Sequence, residues 1–367
     1  MKRLQDSVMR LRHIRRGCEL MIKWYEEGGN NSDIVISSRV RLARNISGRQ
    51  FSLMLMEPEA KELVNELKEK LADIGNGALG TFKYIPVREL TAVEKVALVE
   101  RNILSEVLIS KEEETGAYVT EDEAVSIMLN EEDHIRIQVL KSGLEIKKAW
   151  EMADAIDDDI NRRFAYAYDE QFGYLTSFPT NVGTGMRVSC MLHLPSLAAT
   201  KALGSVANDI SRFGLAIRGI SHEKENGAGN LYQLYSQKTL GQSEQDIMKG
   251  FKSILQQIVK QERKLRYKHL QEKKDELEDM VYRSYGILRY TRRIKMMEGL
   301  NLLSNVNYGV STGIIELEDE GMFPMYRLLI GMQPANMDLA AGRSLDEDER
   351  DIFRAEYLRN SLPKIKL

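Results

Sequence analysis

The sequence predicts an α+β fold in which a strand-rich region is followed by a helical one. Between residues 34 and 235, several short apolar runs alternate with polar residues, as strands with one buried face do. From Ser243 the pattern changes to a long helix, rich in Lys, Glu, Gln and Arg, that extends to about Leu277. Further helices are expected around 279–304, 322–331 and 345–359. A run of strands followed by a run of helices is typical of an α+β protein or of two successive domains.

The composition limits what kind of protein this can be. With 367 residues, of which 43% are hydrophobic, the chain is long enough for a large core and two domains. A formal net charge of -3 argues against binding to nucleic acid or membranes through bulk charge. Cys18 and Cys190 are too few for a disulfide framework or a zinc-ligand pattern. No apolar run is long enough to span a bilayer, and we expect a cytoplasmic protein.

Residues 1–31 form a basic N-terminal leader. Apolar residues recur at helical spacing and arginines occupy other faces, which predicts an amphipathic helix that ends before Gly28 and Gly29. The leader lacks the apolar segment of a secretory signal. It is either a loosely attached segment or a basic helix that contacts an acidic partner. We then expect the strand-rich domain over residues 32–242 and the helical domain over 243–367.

The first strand block carries two arginines at alternate positions. Arg39 and Arg41 alternate with Val40 and Leu42, and side chains two residues apart on a strand point to the same face. Two parallel guanidinium groups make a poor core face and a good cradle for an anion, because the planar fork of arginine binds phosphate oxygens bidentately. The alternative is a polar strand face turned to solvent.

Residues 57–115 are expected to be mainly helical and structural. One helix begins after Thr91, whose N-cap position is supported by Glu94 three residues later. A further helix is expected over 144–165, and its run of three aspartates, residues 157–159, is expected to face solvent. Packing explains the apolar spacing of these helices, and nothing in them indicates chemistry.

An acidic stretch at residues 130–136 lies between two strand patterns. Glu131, Glu132 and Asp133 are adjacent and are followed by His134. Neighbouring carboxylates raise one another's pKa unless a positive group is near. Relief would come from arginines, a metal or a cation-rich ligand. The alternative is a solvated acidic turn.

Two glycine-bearing loops follow. In residues 173–187, small residues and glycines let the backbone approach a ligand, and Arg187 would add charge, although the loop lacks the Gly-Lys-Ser/Thr pattern of a P-loop. In residues 214–230, a strand enters a loop in which Glu223 is flanked by glycines. A carboxylate there would act as a base that loop closure brings to a substrate. The alternative is an exposed loop acid.

Taken together, these blocks resemble the phosphagen (guanidino) kinase superfamily, and within it the bacterial protein arginine kinase branch. The resemblance rests on motifs in the family order and approximate spacing, at residues 37–45, 130–137, 179–185 and 218–219. It covers the chain from about residue 32 to its end. It implies a catalytic domain over 32–242, built on a large and mainly antiparallel sheet flanked by helices, followed by the helical C-terminal domain.

The resemblance also implies a reaction and the residues that perform it. ATP is the phosphoryl donor and carries Mg²⁺, with no protein ligand assigned to the metal. The residues implied in ATP binding are Ser37, Arg39, Arg41, Arg136, Arg187 and Arg218. Glu132 and Glu223 would hold and deprotonate the acceptor guanidinium, with Glu131 and Asp133 in supporting or metal-linked positions. This assignment agrees with the physics, because phosphoryl transfer depends on positioning and on neutralising charge on the transferring group.

The resemblance extends to the C-terminal region and to partners. Arg350, Asp351 and Arg354 match a motif that binds phosphoarginine allosterically in this branch, and two arginines one helical turn apart would hold the phosphoryl group. The implied function is an ATP-dependent protein arginine kinase of the stress response, acting on proteins with exposed arginines. Implied partners are a zinc-binding activator protein, a heat-shock repressor, a Clp protease and a second copy of the chain in a homodimer. No direct nucleic-acid or membrane partner is expected.

Two departures from the family pattern bear on activity. Phe178 stands where the family usually has a reactive cysteine, and Ser221-His222 stand where this branch usually has Tyr-Gly. Phenylalanine offers a guanidinium neither charge nor hydrogen bonds. An alternative function is therefore a catalytically weak paralogue that binds phosphoarginine or regulates a kinase. A kinase of small guanidines is less favoured, because the helical domain that precedes the arginine strand in such enzymes is not found here.

Overall fold

One large antiparallel sheet organises the first two-thirds of the protein. The structure is a computed structural model and describes residues 23–75, 77, 79–220, 228–319 and 322–366. Residues 1–22 of the basic leader, and Glu223 with Ser221 and His222, lie outside the described residues. The strands are β1 (Val35–Arg44), β2 (Phe82–Pro86), β3 (Gly116–Thr120), β4 (Val125–Leu129), β5 (Ile135–Ser142), β6 (Tyr168–Asp169), β7 (Gly173–Tyr174), β8 (Met186–His193), β9 (Leu215–Gly219) and β10 (Leu231–Ser236).

Strand β1 lies near the centre of the sheet, and its register decides which side chains share a face. Eight strands pair in the order β2-β3-β4-β5-β1-β8-β10-β9, and β6 and β7 form a separate hairpin. Arg41 lies opposite Arg187 of β8, and Ala43 lies opposite Arg136 of β5. Directly opposite residues point to the same face of a sheet. The pairing therefore gathers arginines from neighbouring strands on one face. Arg218 of β9 lies on the same face, because it is opposite Gln233 of β10, which in turn pairs with β8.

The other face of the sheet carries the main core. Val40 and Leu42 of β1 are buried there, in step with the alternation that turns Arg39 and Arg41 the other way. The helix Ile146–Asn161 contacts β1 and β5 through small and branched residues such as Ala149. This apolar layer fixes the strand register, because a slip of one residue would turn the arginines into the core.

Helices surround the sheet and make up the C-terminal third. Those in the first two-thirds are Glu57–Lys70, Ala92–Glu100, Glu106–Ser110, Ile146–Asn161, Pro195–Ala199 and Leu203–Ser211. Those that follow are Glu244–Glu272, Lys274–Tyr290, Met296–Thr312, Met325–Gly331, Pro334–Ala341 and Glu347–Ser361. The Thr91 cap is present as predicted, since its hydroxyl accepts from the Glu94 N–H at 3.3 Å. Within the described residues, no helix is long and apolar enough to cross a membrane.

The long helix after Ser243 differs from its prediction in length and in its contacts. It ends at Glu272, and Lys273, in a non-helical conformation, separates it from the next helix. Glu262 accepts from the backbone N–H groups of Ser196 and Leu197 at 3.0 and 2.8 Å. This helix is thus bonded to the strand-rich region, and the boundary between residues 242 and 243 stays a prediction.

The aspartate run 157–159 was predicted to face solvent, but only Asp158 is exposed. Asp157 is 7% exposed and accepts from Arg44 Nε and Nη2, at 3.0 and 2.7 Å to Oδ2. Asp159 accepts from the Gly75 N–H at 3.2 Å. The prediction was wrong for Asp157 because a buried arginine from β1 requires a buried acid.

The turn Ala228–Asn230, which leads into β10, is docked on the helix Met296–Thr312. The Gly229 N–H donates to Asn301 Oδ1 at 3.1 Å, and Asn230 Nδ2 donates to Ser304 Oγ at 3.0 Å. Gly229 has a φ of 62°, and a Cβ there would overlap Leu300. The C-terminal helices therefore bind the turn at residues 228–230, which follows Glu223 in the sequence.

Candidate active site

A cleft of about 360 Å³ opens on the polar face of the sheet. Five of the residues predicted to bind ATP line it, namely Arg39, Arg41, Arg136, Arg187 and Arg218. Ser37 shares their face by alternation but is 5% exposed and does not line this cleft. Its role in ATP binding stays a prediction.

Arg39 and Arg41 are the least compensated cations of the cleft. Burial, with Arg136 as the next cause, lowers the pKa of Arg39 to about 10. Burial and the neighbouring charges of Arg39 and Arg136 lower the pKa of Arg41 well below its ordinary value. Arg41 Nε is buried and, among the described residues, has no hydrogen-bond partner. A polyphosphate would neutralise both side chains and accept this free N–H, so the residues present fit ATP.

Arg187 is held by the protein backbone. Its guanidinium donates to Asn181 Oδ1 at 3.1 Å and to the carbonyls of Thr180, Ser236 and Gln237 at 2.8, 2.9 and 3.0 Å. These bonds join the short helix Pro179–Asn181 to the end of β10. Arg187 therefore fixes the wall of the cleft as well as contributing charge.

Arg218 lies at the rim of the cleft and is exposed. Its Nη2 donates to Gln233 Oε1 at 3.2 Å, and its guanidinium carbon lies 5.5 Å from the centroid of the Tyr235 ring. Among the described residues, these contacts engage one of its donor nitrogens and leave the side chain exposed, so the guanidinium can bind an anion.

The acidic stretch forms the tight turn between β4 and β5. Asn130 has a φ of 57°, which asparagine tolerates better than most residues, and its N–H donates to the His134 carbonyl at 2.8 Å. Asp133 accepts from Asn45 Nδ2 and from the Ser177 N–H, both at 2.7 Å. Glu131, Asp133 and His134 are buried, so this is not a solvated acidic turn.

The three adjacent acids have different environments. Glu131 is fully buried, forms an ion pair with Arg136 and accepts from the Ser105 hydroxyl. Glu132 is 27% exposed and lines the cleft, and within the described residues its carboxylate makes no hydrogen bond. The nearest cationic atom in an ion pair with it is Arg136 Nη1, at 3.9 Å. Burial, followed by the charge of Glu131, raises the pKa of Glu132. Glu132 is therefore the acid available to a cationic ligand.

Two of the three adjacent acids are engaged within the protein. The Glu131 and Asp133 carboxylates are already bonded to Arg136, Ser105, Asn45 and Ser177. No group of three or more His, Cys, Asp or Glu able to hold a metal ion occurs within the described ranges. These bonds shape the turn, and a metal-linked role of Glu131 or Asp133 stays a prediction.

Sequence reasoning did not identify Arg44, which supports the loop beside the cleft. Arg44 is 1% exposed, and its guanidinium lies 3.6 Å from the centroid of the Tyr174 ring. Its Nη1 donates to the carbonyls of Ala43 and Thr184 at 3.0 and 2.9 Å. A Cβ on Gly185 would lie 2.6 Å from the Ala43 carbonyl and from this guanidinium. This loop glycine thus permits close approach of the protein's own backbone rather than of a ligand.

Comparison with known proteins identifies the family of this chain. The family model of the ATP:guanido phosphotransferase C-terminal catalytic domain matches residues 62–265, and that of the protein-arginine kinase McsB C-terminal domain matches residues 274–366. The protein-arginine kinase of Bacillus cereus strain G9842 is 43% identical over 345 residues, covering 94% of this chain and 96% of its own. That of strain AH187 is 42% identical over the same shares. This chain belongs to the protein arginine kinase family.

Solved structures of guanidino kinases share the fold of this family member. The duplicated taurocyamine kinase of Schistosoma mansoni aligns with a TM-score of 0.56 and 23% identity, covering 68% of this chain and 37% of that one. Lombricine kinase aligns with a TM-score of 0.55 and 21% identity, covering 67% and 70%. The predicted family and the predicted α+β fold, with its antiparallel sheet and helical C-terminal region, are confirmed.

The C-terminal motif of this protein arginine kinase family member is engaged in internal contacts. Arg350 donates to both oxygens of Asp338, at 3.2 and 2.8 Å. Arg354 is 3% exposed and donates to the carbonyls of Met332 and Ile294 and to Asp351. Phosphoarginine binding by Arg350, Asp351 and Arg354 stays a prediction, and a ligand there would have to compete with Asp338 for Arg350.

Proposed function

We propose that this protein is an ATP-dependent kinase that transfers the γ-phosphoryl group to arginine side chains of proteins. The main observation in support is that one cleft contains both positively and negatively charged side chains. Two under-compensated arginines, Arg39 and Arg41, line it together with Glu132, a carboxylate that has no hydrogen-bond partner among the described residues. An anionic donor and a cationic acceptor are the pair of ligands that such a cleft would bind together.

The arginines would position the donor. Arg39, Arg41 and Arg218 have N–H groups available to phosphate oxygens, while Arg136 and Arg187 add positive charge from their protein-bound positions. ATP with its Mg²⁺ supplies the phosphoryl group and part of the charge neutralisation. Because the arginines are already fixed in the cleft, they stabilise charge on the transferring group without a large rearrangement.

Glu132 would position and deprotonate the acceptor. A guanidinium is a poor nucleophile until it loses a proton. As a guanidinium nitrogen forms a bond to the γ-phosphorus, the bond from phosphorus to the leaving ADP oxygen breaks, and a guanidinium proton passes to a carboxylate. The raised pKa of Glu132 makes this carboxylate a better proton acceptor than an ordinary glutamate. Glu223 is proposed as the second acid from the family resemblance.

The acceptor class and the wider context follow from the family. Relatives that are 42–43% identical over nearly the whole chain are named protein-arginine kinases, which supports an arginine carried on a protein. The resemblance extends the proposal to a cytoplasmic homodimer of the stress response, with a zinc-binding activator, a heat-shock repressor and a Clp protease as partners. It also includes allosteric phosphoarginine binding at Arg350, Asp351 and Arg354.

The proposal is tested by looking for the product directly. The pure protein is incubated with Mg-ATP and an arginine-rich protein, with free arginine in a parallel reaction, and phosphoarginine is identified by mass spectrometry under non-acidic conditions. We expect acid-labile phosphoarginine on the protein substrate, and a loss of about 10²–10⁴-fold in Glu132→Gln. No product with wild type, with and without an activator protein, combined with retained phosphoarginine binding, would favour the regulatory paralogue.

A further inference from the structure

Phe178 is an aromatic side chain in a cleft lined mainly by charged and polar groups. It is 40% exposed, and it lines the same cleft as Arg39, Arg41 and Glu132. Large apolar residues on a surface need no explanation when they are scattered. An aromatic side chain that stays exposed within a charged cleft is different, because it lies among groups that could bind a ligand.

The backbone at Phe178 lies next to the acidic turn that carries Glu132. The preceding residue, Ser177, donates its hydroxyl to the Glu132 carbonyl at 2.7 Å and its N–H to Asp133 at 2.7 Å. The Phe178 carbonyl accepts from Thr176 Oγ1 at 2.8 Å and from the Asn181 N–H at 2.9 Å. The bonds to neighbours on both sides fix the position of Phe178 relative to the acidic turn.

No cation of the described residues stacks on the Phe178 ring. Within the described part of the chain, cation–π contacts form on other aromatic rings, such as those of Tyr174 and Tyr235, and none forms on Phe178. Arg136, the cation that approaches Glu132, is directed to Glu131 instead. Among the described residues, the cleft thus presents a carboxylate that makes no hydrogen bond and an aromatic ring that stacks on no cation, and both line the same cleft.

A guanidinium is the cation that uses both groups at once. Its planar edge donates two hydrogen bonds to a carboxylate, and its flat, weakly hydrated face stacks on an aromatic ring. An ammonium group can contact the carboxylate but cannot stack in this way. The pair therefore selects for arginine over lysine.

We propose that Phe178 binds the acceptor, stacking on the guanidinium of the substrate arginine while Glu132 takes its edge. This assignment rests on the proposed function, since it names the residue that recognises the acceptor in that reaction. In this proposal the apolar side chain contacts the acceptor directly, although it offers the guanidinium neither charge nor hydrogen bonds. Phe178 would set the affinity for the acceptor and leave the affinity for ATP unchanged.

Steady-state kinetics of Phe178 variants test the proposal. Phe178→Leu keeps apolar bulk but removes the π face, whereas Phe178→Tyr keeps the face. With a peptide that contains a single arginine, Phe178→Leu should raise the acceptor KM about 3- to 30-fold, with the KM for ATP within about twofold of wild type. Phe178→Tyr should stay close to wild type. Phe172→Leu, the same change at a 47% exposed ring outside the cleft, is the control.

Equal acceptor KM values for Phe178→Leu and wild type would overturn the proposal, as would equal losses in the Leu and Tyr variants. Calorimetric titration measures binding of the same peptide without requiring phosphoryl transfer. It therefore distinguishes failure of the Phe178 proposal from failure of the kinase assignment. If wild type transfers no phosphoryl group, the Leu variant should still bind the arginine peptide more weakly than wild type. The matched peptides with citrulline or lysine should bind more weakly than the arginine peptide to wild type. Equal binding of the three peptides would refute the role of Phe178.

Discussion

Arg44 offers a quantitative test of how the cleft is supported, because removing it leaves a buried charge. Arg44 and Asp157 are 1% and 9% exposed at their side chains, and two guanidinium nitrogens donate to the carboxylate. Breaking such a pair on one side costs about 3–5 kcal/mol, because the remaining charge is buried without its partner. We therefore expect Arg44→Met to lower the free energy of unfolding by about that amount. Arg44→Met combined with Asp157→Leu should recover about half of it.

The assay can be made local to the Arg44 network. Trp150 donates its ring N–H to Glu244 at 2.6 Å, and Glu244 lies 3.7 Å from Arg44. Trp150 is one of two tryptophans in the chain, so fluorescence during urea unfolding reports partly from this network. An independent probe such as circular dichroism shows whether the two transitions coincide.

A surface ion pair provides the matched control for Arg44. Arg283 and Asp279 form a pair in which both side chains are well exposed, at 69% and 64%. Arg283→Met should change the free energy of unfolding by about 0.5 kcal/mol or less. A cost below about 1 kcal/mol for Arg44→Met, or a double variant no more stable than the single one, would refute the argument that Asp157 depends on Arg44.

Three further predictions concern the cleft and its attachment. The pKa of Glu132 is raised, so its carboxyl group stabilises the fold fully below the ordinary glutamate pKa, and this stability is lost as pH rises through the raised value. Glu132→Gln should therefore be at least as stable as wild type at pH 7 in thermal unfolding, although its activity should be about 10²–10⁴-fold lower. The kcat/KM of wild type should fall as the pH drops through an apparent pKa that lies above the ordinary glutamate value, because the protonated carboxyl group cannot accept a proton. Arg41→Met should raise the KM for ATP about 10-fold or more without lowering the unfolding temperature, because it removes a repelled, buried charge. Asn301→Ala leaves the N–H of the buried residue Gly229 without its acceptor and should cost about 1–3 kcal/mol in urea unfolding. This cost should exceed that of Asn305→Ala on the same helix, and equal costs would contradict the prediction.

Strand alternation predicts part of the cleft, and it also indicates that Arg44 is buried on the opposite face of β1. Period two places Arg39 and Arg41 on one face, and the register agrees. The same rule turns Arg44 toward the opposite face, with Val40 and Leu42, where a charge must find a buried partner. An acid in a helix that packs on that face, such as Asp157, was therefore to be expected.

Other parts of the site could not be reached from local patterns. Arg136, Arg187 and Arg218 meet Arg39 and Arg41 only because β5, β8, β10 and β9 take their places around β1, and this order depends on long-range pairing. Periodicity within a single strand carries no information about its neighbours. The resemblance to guanidino kinases supplied that information. The internal contacts of Arg350 and Arg354 were not foreseen, because spacing on a helix does not reveal which carbonyls the next helices present.

The acidic turn shows why three adjacent acids are compatible with one reactive carboxylate. Arg136 Nη1 is an ion-pair partner of Glu131 and stays 3.9 Å from Glu132. If Glu131 were neutral, Arg136 would be free to pair with Glu132, which would lower its pKa and occupy the edge that an acceptor needs. Asp133 is satisfied by neutral donors from Asn45 and Ser177 and makes no demand on the arginines. The buried acids thus leave Glu132 only weakly compensated, by Arg136 at 3.9 Å. This local excess of negative charge, beside arginines with a local excess of positive charge, gives the cleft the polarity that phosphoryl transfer to a guanidinium requires.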